Sequence, residues 1–308
     1  MWRYVVRRLL EAVPVFIGTT FLVWLLVWKL PGDPFAGRCG NRPCPDAYIA
    51  RQRAEFHLDD PFFVQYGVYL KRLLTGDFGQ TFNGARIGEL LGNAFPISAK
   101  LAVVAVCVEA LIGITAGVIT GLRRGSFIDN MVLVSTLFLI AIPTFVSGIA
   151  VRYFFDLEWG IIPTSVSPDA PWHQLLVPGF ILASTSMAFA TRLTRVSMAE
   201  NRRADYVRTA KAKGLRPSRV TGVHLLRNSL IPVVTWIGLD LGNLMGGAIV
   251  TEGIFNIRGI GGLLFGAINR RESSLVVAVV AVLVLIYLIG NLIIDLLYGV
   301  LDPRIRHE

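Results

Sequence analysis

The sequence predicts an all-α, polytopic membrane protein, and three observations carry that prediction. Hydrophobic residues make up 54% of the 308-residue chain, and the mean hydropathy is +0.59. Six apolar stretches are each long enough to cross a bilayer as a helix rising about 1.5 Å per residue. Charged residues, 17% of the total, are gathered mainly into blocks between those stretches.

The spans in order are Leu9 to Trp28, Ile97 to Leu122, Met131 to Phe155, Leu175 to Thr191, Ser229 to Val250 and Leu275 to Val300. The first reads as an anchor rather than a cleaved signal: no small-residue cleavage site follows it, and Trp24, Trp28 and Lys29 suit a membrane interface. Glu11 stands close to Arg7 and Arg8 and suits an interfacial ion pair. Orientation follows from Lys and Arg near the span ends. Seventeen of the thirty fall on one side, which places both termini in the cytoplasm. The expected domains are 1–30 for the N-terminus and first span, 31–96 for an extracytoplasmic segment, and 97–308 for the five remaining spans.

The external segment has its own organisation. PGDP at Pro31 to Pro34 breaks the helix as it leaves the bilayer. Glu55 to Leu58 and then Pro61 to Leu74 read as amphipathic helix lying on the outer surface, with Phe62, Tyr66, Tyr69, Leu70 and Leu73 at helical spacing. GDFG, Gly76 to Gly79, reads as a turn. Cys39 and Cys44 fall on the oxidising side and are expected to form a disulfide, a metal pair being the alternative that lacks a nearby His or third Cys. Cys107, within span two, reads as a small buried apolar residue.

Span five runs into a glycine-rich stretch, Gly246 to Glu272. Glycines at 246, 247, 253, 259, 261 and 262 suggest backbone turning tightly near the outer interface. Ile254, Phe255 and Ile257 would then dip back as a re-entrant piece and form a candidate outer gate. Within the spans, Glu109 and Asp240 lie near the middle of spans two and five, with Asn243 one turn beyond Asp240. Carboxylates at that depth face a bundle interior or an aqueous cavity, so these three either line a pathway or hydrogen-bond between helices.

Between spans four and five lies a basic insert, Thr191 to Arg227, with ten Lys or Arg against Glu200 and Asp205. It contains one short helix, 205–214, with its own start and stop signals. Asp205 can cap the first turn, Lys211 and Lys213 suit the C-terminal end of the dipole, and Gly214 followed by Pro217 ends it. Such a helix suits docking. The net charge of +9 reads as an orientation signal and as attraction to anionic lipid. Nucleic acid is disfavoured, since no aromatic residues interleave the basic insert at stacking spacing.

No catalytic, metal or cofactor-binding residue is assigned. His57, His173, His224 and His307 are scattered, no His-Glu-x-x-His or paired-Cys site occurs, and the phosphate-loop pattern is missing. Any ATP and Mg would therefore bind on another chain.

Together the motifs resemble one family. Tyr206 to Leu215 and His224 to Pro232 are similar to the signature of permease subunits of bacterial ABC importers for dipeptides, oligopeptides and nickel, and the long external segment resembles the B type. PGDP, GDFG, RRGSFID at Arg123 to Asp129, IPTFVSG at Ile142 to Gly148, GIIPTS at Gly160 to Ser165, the TEGIFNIRGIG loop and the terminal DLLYGVLDPRIR extend the resemblance over nearly the whole chain. It implies the type I importer permease fold, residence in the bacterial inner membrane, and partnership with a second, C-type permease, one or two ATPase subunits and an external peptide-binding protein. It also implies that the 205–214 helix couples to an ATPase cleft through Asp205, Tyr206, Val207, Arg208, Thr209, Ala210, Lys211, Gly214 and Leu215. Tyr206, Val207, Ala210 and Gly214 form the face expected to pack, with Arg208 free to pair. The general coupling consensus, Glu-Ala-Ala and three residues before Gly, is here Arg208-Thr209-Ala210 before Gly214. Alternatives are a proton-coupled secondary transporter using Glu109 or Asp240, a non-transporting scaffold, and nickel or glutathione in place of peptide.

Overall fold

The computed structural model describes residues 2–29, 45–55, 59–81 and 83–301. Cys39 and Cys44, the PGDP stretch, Leu58, His57 and the DPRIR end lie outside the described residues. The described chain is helical, its β-structure limited to an isolated bridge between Gln80 and Arg86. It divides into two units, Met1–Ser98 with Arg258–Glu308, and Ala99–Ile257.

In the first unit, α1 (Trp2–Lys29), α2 (Asp46–Glu55) and α3 (Phe62–Leu74) precede the start of α4 (Ile87–Leu122), and α11 (Ile260–Asn269) and α12 (Ser273–Leu301) follow later in the chain. The five expected residues of α3 do form its packed face. Phe62 and Tyr66 set their rings edge-on to Phe21 and Trp24 of α1 at 5.2 to 5.8 Å, and Tyr66 Oη donates to the Ile17 carbonyl at 2.9 Å. Leu73, with Tyr69 and Leu70, joins Phe16 of α1 and Ala281 of α12 in one apolar cluster. Trp24 is consequently buried beneath α3 rather than standing at a lipid interface. Helix α3 starts at Phe62, since Pro61 sits just outside it, and Gly76 and Gly79 turn the chain after it with φ of +77°. Glu11 forms the expected exposed pairs, 3.0 Å to Arg7 and 3.3 Å to Arg8.

The second unit holds the rest of α4, then α5 (Phe127–Ala141), α6 (Thr144–Glu158), α7 (Leu176–Asn201), α8 (Asp205–Ala212), α9 (Pro217–Ser229) and α10 (Ile231–Ile254). The expected third span is α5 and α6, bent by 96°. Pro143 explains the break: it offers no N–H and pushes Ile142 into extended backbone, φ −94° and ψ 121°. A milder bend of 44° separates α9 from α10, at Leu230 before Pro232.

Helix α7 is the centre of this unit. Of its most apolar stretch 61% is buried, against 11% for α1, so α7 packs on protein where α1 mostly does not. Its partner is a glycine row on α4, at every fourth residue. A Cβ on Gly117 would lie 2.4 Å from Thr194 Cβ and 2.6 Å from the Thr191 carbonyl oxygen; Gly113 and Gly121 would meet Ala190 Cβ at 2.8 Å and Met198 Cβ at 2.6 Å. From the other side, Gly179 of α7 leaves room for Val104 Cγ1, 2.5 Å from where its own Cβ would be. Apolar side chains gain little by leaving lipid for protein, so close backbone approach and dispersion hold such a pair. Cys107 lies off this contact and is exposed, which corrects the buried reading.

The glycine row gives a direct expectation. Gly117→Val forces the two helices apart, an overpacking cost of roughly 1–3 kcal/mol, and lowers the melting temperature and folded yield of the purified chain. Gly67→Ala, with nothing within 4 Å, serves as the control and leaves both unchanged or slightly raised. Equal melting of the Gly117 variant and wild type would refute the close-packing account.

Candidate functional site

Helix α8 spans Asp205–Ala212, with Ala204 rather than Asp205 in the cap position and no side-chain cap bond. Asp205 instead occupies the first helical turn, where its charge suits the dipole, and it pairs with Arg208 at 3.6 Å in full exposure. Exposed pairs of this kind contribute little. The stop signal acts as the sequence suggests. Gly214 adopts φ +72°, its N–H bonds the Lys211 carbonyl at 2.9 Å, and Leu215 N–H bonds the Ala210 carbonyl at 3.3 Å. That six-to-one and five-to-two pair is a Schellman motif, completed by Leu215 packing on the cluster that contains Ala210.

The face expected to pack does so in part, against its own chain. Val207 and Ala210 are 1% and 5% exposed and sit in a cluster with Met198 at the end of α7 and Val220 and Leu225 of α9. Burying a valine contributes roughly 2 kcal/mol in water, so this apolar contact, not the Asp205 pair, fixes α8. The free face presents Arg208, Thr209, Lys211 and Tyr206, whose Oη donates to Asn201 Oδ1 at 2.5 Å. Spacing marked Val207 and Ala210 as a packing face, but not its partners, because residues 198, 220 and 225 had to be brought in by the fold.

Nearby bonds secure the same end of the bundle. Arg195 of α7 donates from Nη2 to Asp129 Oδ2 at 2.8 Å and also engages Oδ1 through Nε, while Gly125 N–H donates to the same carboxylate at 2.8 Å. Ser126 caps α5 by accepting from Asp129 N–H at 3.3 Å. The RRGSFID stretch is thus a turn, a cap and a buried ion pair in sequence. Arg202 Nη1 donates to the Leu122 carbonyl at 2.8 Å, closing the end of α4.

Deeper in the same unit, the three intramembrane polar candidates converge. A cleft of about 430 Å³ is lined by α6, α7 and α10 and includes Thr144, Ser186, Phe189, Trp236, Asp240 and Asn243. Asn243 Nδ2 donates to Asp240 Oδ1 at 3.3 Å. Glu109, in a π-helical turn of α4, is fully buried and faces Asp240 and Trp236. Glu109, Asp240 and Trp236 thus form one buried polar group behind the cleft wall. Sequence position singled out the two carboxylates separately; that they meet, with Trp236 and Phe189 alongside, required the fold.

The candidate gate is corrected in form. Gly246 to Gly253 lie within α10, which runs unbroken to Ile254, and the turn that follows is made at Asn256, φ +55°, rather than at a glycine. Phe255 and Ile257 are 0% and 2% exposed, and Ile254 is half-buried. The piece is a packed corner at the end of α10. Arg152 Nη1 donates to the Ile254 carbonyl and Val166 N–H to the Phe255 carbonyl at 3.2 Å, while Phe255 and Ile254 cover Gly148. Among the described residues no His, Cys, Asp and Glu cluster could hold a metal.

Residues 113–307 match the family described as binding-protein-dependent transport system inner membrane component, and residues 1–108 match its N-terminal counterpart. The chain is 34% identical to the dipeptide transport system permease protein DppB of Alkalihalophilus pseudofirmus over 334 residues, covering the whole of both chains. It is 35% identical to the di/tripeptide transport system permease protein DppB of Pseudomonas aeruginosa, and 34% identical to the oligopeptide transport system permease protein OppB of Haemophilus influenzae, again across both full lengths.

The geometry of α8 can be tested alone. A β-branched residue tolerates φ +72° poorly, at a cost of roughly 1–3 kcal/mol, so Gly214→Val should raise amide hydrogen exchange across Asp205–Leu215 while α7 keeps its protection. Unchanged exchange there would show that the Schellman turn does not fix this helix.

Proposed function

The chain belongs to the family of binding-protein-dependent transport system inner membrane components, and from that premise we infer that it is a permease subunit of an ABC importer of di- and oligopeptides. The observation that carries the reading is full-length identity to dipeptide, di/tripeptide and oligopeptide permeases. Helices long and apolar enough to cross a membrane, four alone or up to six with each bent pair counted as one, agree with a multi-pass inner membrane protein.

The finer parts of the reading rest on physical fit. Both termini lie in the cytoplasm, as the Lys and Arg distribution requires. This chain forms half of the pathway, with a second, similar permease supplying the other half and an external binding protein delivering peptide. ATP and Mg act on partner ATPase subunits, into whose cleft α8 inserts its free face of Tyr206, Arg208, Thr209 and Lys211. Because Val207 and Ala210 tie α8 to Met198 of α7, a push on α8 is delivered to α7 instead of being absorbed in a loose loop.

Reconstitution tests this. Vesicles holding the complete importer should take up labelled dipeptide only with ATP, and should lose uptake when this chain is omitted. Arg208→Glu with Lys211→Glu should cut uptake about tenfold or more by removing charge-assisted contacts across the docking surface, without changing folded yield. Uptake by this chain alone, driven by a proton gradient without ATP, would overturn the reading.

A further inference from the structure

The permease reading leaves unexplained why a cleft in the membrane bundle is lined by a carboxylate. Asp240 is the cleft's one charged lining residue. It is 6% exposed, and its Oδ1 accepts from Asn243 Nδ2 at 3.3 Å. Glu109 lies behind it, completely buried against Asp240 and Trp236. Burying carboxylates at this depth is costly. Of the two, only Asp240 reaches the cleft, so a negative charge on the pair is best compensated there, from the cleft side.

The wall beside it suits an organic cation. The rings of Phe189 and Trp236 stand 5.7 Å apart between centroids at 43° to each other, and both line the cleft. An ammonium group offers three donors and a compact positive charge; a carboxylate oxygen and an aromatic face are its two natural acceptors. The volume, about 430 Å³, is that of a small-molecule site rather than a bare-ion site. A single carboxylate with aromatic faces also holds a charged group without trapping it, as passage requires.

We propose that this cleft is a subsite for a primary alkylammonium group, held by the Asp240 carboxylate against the faces of Trp236 and Phe189, and that the group is the protonated amine of a peptide in transit. The identity of the amine rests on the peptide-permease reading; the subsite does not.

The test uses the full-length chain in its native complex in lipid nanodiscs, labelled with 5-fluorotryptophan, the Trp236 fluorine resonance being assigned by its loss in Trp236→Phe. Dialanine and methylammonium should each shift that resonance, while N-acetyl-dialanine and potassium at equal concentration should not. Asp240→Asn should weaken the dialanine response about tenfold, the loss expected on removing a charge-assisted contact. Equal responses to dialanine and its N-acetyl form, an equal response to potassium, or no response to either amine overturns the subsite. So does an unchanged response in Asp240→Asn. A response to methylammonium but not dialanine overturns the peptide as source. Uptake of dialanine measured on the same importer keeps the two readings apart: uptake with a silent Trp236 sinks the subsite alone, and amine responses without peptide uptake sink the permease reading alone.

Discussion

The close approach of α4 to α7 is the contact on which the second unit depends. Gly113, Gly117 and Gly121 remove the side chains that would hold the helices apart, and Ala190, Thr191, Thr194 and Met198 fill the space. Water cannot drive that association inside a bilayer; fit between surfaces must. With α7 locked to α4, its other faces are left for α5, α6 and α10, and the elements bearing chemistry are positioned from it. Phe189 reaches the cleft from α7, Arg195 takes Asp129 of α5, and Met198 provides the floor for α8.

Different physics acts at the two ends of that helix. At the end facing the basic insert, water is present and the Met198, Val207, Ala210, Val220 and Leu225 cluster is held by the hydrophobic effect. The Asp129 and Arg195 pair adds specificity more than stability, because burying two charges offsets most of their attraction. Removing one partner would be costly all the same. Midway along the bundle, Glu109 and Asp240 are buried side by side, with Trp236 against them. Carboxylates are costly at that depth, which points to a use other than folding.

Most of the helical architecture was legible in the sequence, because a backbone inside a bilayer must satisfy its own hydrogen bonds and long apolar stretches therefore read as helices. The Gly214 stop, the GDFG turn, the apolar face of α3 and the Glu11 pairs also follow from local chemistry and are present. What failed depended on tertiary contact. Trp24 suits an interfacial anchor by its place in the sequence, yet it is covered by α3. Gly246 to Gly253 suggest a turn by composition, yet glycine is admissible in a membrane helix and α10 runs through them. The row at Gly113, Gly117 and Gly121 was visible as small residues four apart, but only α7 gives it meaning. The packed face of α8 was legible as a face; that Val207 and Ala210 turn toward this chain's own Met198 was not.

The central claim is that α8, α7 and the glycine-lined part of α4 form one packed block. Distances between spin labels at Thr209 on α8 and at exposed Phe189 on α7 would test it most directly, measured by electron paramagnetic resonance in the assembled importer with and without nucleotide. The account predicts that this distance stays constant to within about 2 Å, the scale of ordinary helix adjustments, while label distances from α8 to the partner subunits change. A nucleotide-dependent change of α8 relative to α7, with α7 itself unbent, would contradict it.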